Sequence, residues 1–126
     1  MRSRVTLMLL AMLLAGESFA DETATIAPAA LLKRIDSKDD SLVVLDVRTP
    51  EEFAAGHVPS ALNIPYTYLP AGIAGLPANK DVVLYCATGI RAERAATRLR
   101  ENGFTRLLHL EGDMTSWVDS KRPIEK

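Results

Sequence analysis

The chain of 126 residues holds one cysteine, Cys86, at the head of a segment whose residue types suit anion chemistry: Cys86-Ala87-Thr88-Gly89-Ile90-Arg91. The apolar, β-branched run 81–85 precedes it and a long helical pattern follows. A loop curling from strand to helix turns successive backbone N–H groups inward at the positive end of the helix, and Gly89 permits the angles that such a curl needs. The N–H groups of Ala87, Thr88, Gly89, Ile90 and Arg91 would then hold an arriving anion and keep Cys86 as thiolate, the nucleophilic form. An ordinary thiol, with a pKa of about 8.5, is only a few per cent ionised at pH 7. Lowering that pKa by about two units takes roughly 2.7 kcal/mol of preferential stabilisation of the anion. A helix terminus supplies up to about 2 kcal/mol and a charge-assisted hydrogen bond about 1.5–3 kcal/mol, so a nest plus the Arg91 guanidinium is sufficient.

Each of these residues also has a plain structural reading. A single cysteine at a strand end is commonly a small buried hydrophobe, and Arg91 alone would be a solvated helix residue. The order strand, Cys-x-x-Gly-x-Arg, amphipathic helix is what favours the nucleophile. Arg91, Arg94 and Arg98 share one helix face, which reads as a solvated charged face. His57 raises the question of a Cys–His dyad with Cys86, whereas His109 reads as a strand residue and not a ligand.

The elements that must position this segment alternate. Residues 41–46 and 81–85 are short apolar runs without strict alternation, as in strands covered on both faces of a parallel sheet. Residues 106–110 form a weaker strand candidate and residues 23–26 a possible edge strand. Pro28 suits a first helical position, with Leu31, Leu32 and Ile35 on one side. Thr49-Pro50-Glu51-Glu52 reads as an N-cap, a Pro at N1 and a capping-box Glu, with Gly56 closing the helix. The strongest helix pattern runs from Ile90 to Asn102 and stops at Gly103, carrying a stripe of Ala92, Ala95, Ala96 and Leu99. Residues 112–119, with Met114 and Trp117, predict a last short helix. Residues 59–77 hold four of the seven prolines and predict a long irregular connection with a turn of helix near Tyr68. The alternation predicts a small α/β sandwich on a mostly parallel sheet.

Composition narrows the function classes. Fifteen Lys and Arg against sixteen Asp and Glu leave a formal net charge of −1, which gives no support to nucleic-acid or membrane-surface binding. One cysteine excludes an internal disulfide framework and a multi-thiolate zinc site. At the N-terminus, Arg2 and Arg4 precede an apolar run over residues 5–15, and Ser18-Phe19-Ala20 offers small residues before Asp21. That pattern predicts a secretory signal peptide over residues 1–20, cleaved after Ala20, and one domain over residues 21–126. The apolar run is short for a spanning helix, which needs about 20 residues. Glu17 stands where a lipidated cysteine would be, which argues against a lipid anchor. The mature protein is therefore expected to be exported and free of the membrane.

Several of these stretches together resemble the recurrent pattern of rhodanese domains. Asp46-Val47-Arg48 after a strand is followed by Glu51-Glu52-Phe53, Gly56-His57-Val58, Ala61 and Asn63-Ile64-Pro65. Cys86 to Arg91 resembles the rhodanese active-site loop, and Gly112 with Trp117 its C-terminal region. The resemblance spans about residues 23–124, and with the leader it is similar to the single-domain periplasmic phage-shock type. It implies a three-layer sandwich whose five-stranded, mostly parallel sheet carries helices on both faces. It also implies thiosulfate sulfurtransferase activity of ping-pong form through a Cys86 persulfide, with no metal or organic cofactor. The donor would be a small anionic sulfur compound and the acceptor cyanide or a thiol, either small or on a thioredoxin-like protein. Asp46, Arg48 and His57 would be supporting residues, His57 through hydrogen bonding under the loop.

Three rivals remain at this stage. A persulfide carrier or binding module serving a protein partner would retain the same residues. A Cys-based phosphatase or arsenate reductase uses a larger loop, with five residues between Cys and Arg where this chain has four. A cysteine hydrolase lacks a supporting base or elbow motif here.

Overall fold

Five strands run parallel in the order β1-β5-β4-β2-β3, which places β4 (Asp81–Tyr85) at the centre. Its neighbours are β2 (Leu42–Asp46) and β5 (Leu107–Leu110), while β1 (Ala24–Ile26) and β3 (Leu62–Asn63) form the two edges. These features come from a computed structural model that describes residues 22–126; the expected leader, residues 1–20, lies outside the described residues.

Both faces of the sheet are covered, and strand alternation assigns each side chain to one of them. On one face Leu45, Val82, Leu84, Cys86 and Leu107 pack against Ala92, Ala95, Ala96 and Leu99 of α4 (Ile90–Glu101). On the other, Ile26, Val44, Val83, Tyr85 and Leu110 meet Leu31 of α1 (Pro28–Asp36), together with Met114 and Trp117 of α5 (Asp113–Asp119). This double cover is why β2 and β4 lack a polar alternation. The small residues of α4 let its backbone approach the sheet, and the buried stripe is the one its spacing predicts.

Local signals act as expected at α2 (Pro50–Ala55). Thr49 Oγ1 accepts the Glu52 N–H, the Glu52 carboxylate accepts the Thr49 N–H, and Gly56 closes the helix. The proline-rich connection is more ordered than predicted. It contains the two-residue strand β3, a 3₁₀ turn over Tyr66–Tyr68, the short α3 (Leu69–Gly72) and a second 3₁₀ turn over Ile73–Gly75. Strand β3 escapes a periodicity reading because two residues carry no period. Its register comes from main-chain pairing of Leu62 with Leu45 and Asn63 with Asp46, and the Asn63 side chain donates to the Asp46 and Arg48 carbonyls.

Candidate active site

Cys86 follows the last residue of the central strand, at the carboxyl end of the sheet, where parallel α/β folds gather their ligands. Gly89 caps α4 in a left-handed conformation, φ 114° and ψ −21°, that favours glycine, and it donates its N–H to Cys86 Sγ at 3.0 Å. The space is also closed to a side chain. A Cβ at Gly89 would stand 3.0 Å from Asp113 Oδ2 and 3.2 Å from His109 Cε1.

The thiol is deeper than an open nest would leave it. Cys86 is 1% exposed and shares the apolar cluster under α4, yet it is not sealed in hydrocarbon, because a backbone donor points at the sulfur. Of the loop residues expected to contact substrate, Gly89 supplies that donor. The Ala87 carbonyl turns the other way and accepts from the Thr115 N–H and hydroxyl. Thr88 lies in the curl and Ile90, at the head of α4, is 65% exposed beside the loop.

Arg91 is held by a partner that the sequence offered only as a helix cap. Its Nη1 and Nη2 donate to Glu52 Oε1 and Oε2 at 2.7 and 3.0 Å, a two-pronged clamp between α4 and α2. The guanidinium pKa is raised, first by this bond to Glu52 and, against the opposing effect of burial, by the Glu52 charge and the nearby Cys86. Arg91 in turn holds the Glu52 carboxyl down to about 2. Arg94 and Arg98, farther along the helix, are exposed.

Asp46, the last residue of β2, and Arg48 form a buried pair. Arg48 Nη2 donates to Asp46 Oδ2 at 2.7 Å and to the Gly56 carbonyl at 2.8 Å, while the Arg48 N–H binds Asp46 Oδ1. The Tyr85 hydroxyl donates to Asp46 Oδ2 at 2.7 Å and accepts the Val58 N–H at 3.0 Å. Burial first, and then the Asp46 charge, push the Tyr85 pKa far up. His57 stacks on Phe53 with ring centroids 3.6 Å apart. Its Nδ1 meets the Phe53 carbonyl, and its backbone pairs with Glu125 near the C-terminus. The hydrogen bonds found for His57 thus run to α2 and the C-terminal tail, with none to Cys86.

Sequence reasoning missed a second polar cluster, formed by Glu93, His109 and Asp113. Asp113 Oδ1 accepts the Cys86 N–H at 3.0 Å and faces His109 Nε2 at 2.8 Å, while His109 Nδ1 faces Glu93 Oε1 at 2.7 Å. The available signal was a pair of acids placed one turn into α4 and four residues beyond a strand histidine. Among the described residues no group of three or more His, Cys, Asp and Glu side chains stands where it could hold a metal ion.

This strand–loop–helix arrangement with a thiol at its head has known counterparts. The sequence profile of the rhodanese-like domain matches residues 27–120, and the chain belongs to that family. A sulfurtransferase of Allochromatium vinosum is 37% identical over 95 residues, covering 75% of this chain and 88% of that one. A putative sulfurtransferase of Bacillus subtilis, YtwF, is 33% identical over 102 residues, 81% of this chain and 97% of that one. Among solved structures, a rhodanese-related protein of Thermoplasma volcanium is 29% identical with a TM-score of 0.71, over 81% of this chain and 97% of that one.

Proposed function

We propose that the protein transfers sulfane sulfur through a persulfide on Cys86. The Cys86 thiolate attacks the outer sulfur of an anionic donor such as thiosulfate. A sulfur–sulfur bond forms on the enzyme, the donor's own sulfur–sulfur bond breaks, and sulfite leaves with the bonding pair. An acceptor then attacks the terminal sulfur. Cyanide leaves as thiocyanate, or a thiolate leaves as a persulfide, and Cys86 returns as thiolate. The two half-reactions make the kinetics ping-pong.

The observation that carries this reading is the Gly89 N–H aimed at Cys86 Sγ at 3.0 Å. It is a fixed donor placed where the negative charge of the attacking thiolate resides. Arg91 is the side chain that meets the anionic donor, and its clamp to Glu52 fixes where its charge sits. The sulfurtransferases among the relatives support the same class of reaction. For the leader we infer export to the periplasm as a protein of the phage-shock type, with a thioredoxin-like protein or a small thiol as acceptor.

Intact-mass spectrometry after exposure to thiosulfate tests the central step. One sulfur atom should be added and lost again with cyanide, and Cys86→Ser should take up none while remaining folded. Sulfur uptake by Cys86→Ser, or none by the parent protein, overturns the proposal.

A further inference from the structure

Beneath the loop, the Glu93–His109–Asp113 cluster performs no step of the proposed transfer, yet it is bonded to the nucleophile's own backbone. Asp113 is 4% exposed and adopts φ 53°, directly after Gly112 at φ 75°. Gly112 takes this conformation freely, whereas a left-handed aspartate carries a cost, and strain of this kind persists where the surroundings impose it. Here the two residues turn the Asp113 carboxylate back under the loop, where Oδ1 takes the Cys86 N–H and Oδ2 lies under Gly89. The next two residues continue the grip, with the Met114 and Thr115 N–H groups donating to the Cys86 and Ala87 carbonyls.

The histidine's protonation follows from its contacts. Both ring nitrogens of His109 face carboxylate oxygens, at 2.7 and 2.8 Å. A neutral ring has one N–H and would set a lone pair against one of those oxygens, so the imidazolium is the form that fits. Its pKa is raised, first by the bond to Asp113 and, after the opposing effect of burial, by the Asp113 charge and by Glu93. The groups facing the ring are Glu93 from α4 and Asp113 from α5. Glu93 Oε2 also accepts from the Thr23 hydroxyl, which in turn accepts from Arg100.

This matters because Asp113 brings a negative charge to within one hydrogen bond and three covalent bonds of the sulfur. An uncompensated carboxylate there disfavours the thiolate. We propose that Asp113 and His109 are positioning residues for the thiol: Asp113 fixes the Cys86 amide, and His109, held as a cation between Asp113 and Glu93, cancels the charge that this anchor brings beside the sulfur. The inference deepens the sulfur-transfer reading and rests on it for its meaning.

The test reads thiol reactivity directly and needs no sulfur donor. Cys86 is the chain's one cysteine, so iodoacetamide alkylation across pH reports its ionisation alone. In His109→Asn the midpoint should rise by about one pH unit, slowing alkylation about tenfold below the midpoint. In the double variant His109→Asn/Asp113→Asn it should return toward the parent value. An unmoved midpoint in His109→Asn, or a double variant that stays with the single one, overturns the proposal. Should His109→Asn fail to fold, NMR titration of the parent chain decides. The His109 ring must sense the Cys86 ionisation, and lose that inflection once the thiol is alkylated; a ring blind to Cys86 overturns the proposal equally. Shifted midpoints with no sulfur uptake support the positioning roles and count against the transfer reaction.

Discussion

Two polar clusters end on consecutive residues, Tyr85 at the end of β4 and Cys86 just beyond it, and serve the chain differently. Asp46, Arg48 and the Tyr85 hydroxyl lie on one face, and Glu93, His109 and Asp113 lie at the end of the strand and reach the main chain of Cys86. The first is sealed, with Asp46 fully buried and Arg48 nearly so. The second is partly open, since the His109 side chain is 16% and the Glu93 side chain 47% exposed. A sealed ion pair stays charged and fixes geometry, whereas a cluster near solvent with an imidazole at its centre can exchange protons. The strand's alternation separates the two jobs, because Tyr85 and Cys86 point to opposite faces.

The contrast is broken most severely at Asp46. Asp46→Asn leaves the Arg48 guanidinium buried without its counter-charge, and loss of one partner from such a pair costs about 3–5 kcal/mol. Denaturant unfolding should show a loss of that size; a loss under about 1 kcal/mol would mean that the pair is not what secures the end of β2. Tyr85→Phe is milder. It strips a partner from the Val58 N–H and from Asp46 Oδ2, at a cost of about 1–3 kcal/mol. Because the Tyr85 side chain lies on the face away from Cys86, the pH midpoint of Cys86 alkylation should not move. A midpoint shifted as far as in His109→Asn would erase the distinction between the clusters.

What could be read in advance divides along the same line. Helix α4 was legible because Ala92, Ala95, Ala96 and Leu99 repeat with helical period and Gly103 stops the pattern. The α2 cap was legible because Thr49 and Glu52 stand three apart. Cys86 was legible from its place between strand and helix. Everything that depended on side chains meeting across elements was not. Glu52 announced itself as a cap and proved also to hold Arg91, thirty-nine residues away. His109 looked like an ordinary strand residue, because its partners lie on two different helices. The turn that aims Asp113 relies on a left-handed aspartate, and no hydrophobic pattern encodes that. Local periodicity reports the backbone, whereas a polar network is a property of the assembled layers.

The smallest effect expected is the one that most sharpens the comparison, because it concerns protons alone. The His109 pKa in the folded protein is raised above the value of 6.5 that it takes when unfolded. The folded state therefore binds the proton more tightly. The resulting stabilisation is complete below about pH 6.5 and is lost as pH rises through the folded value. Solvent around Glu93 screens part of the interaction, so the change should be smaller than either substitution above. Unfolding free energy measured from pH 6 upward should decline in the parent protein and decline less in His109→Asn. Equal slopes in the parent and His109→Asn would show that the imidazole is not held between its two carboxylates.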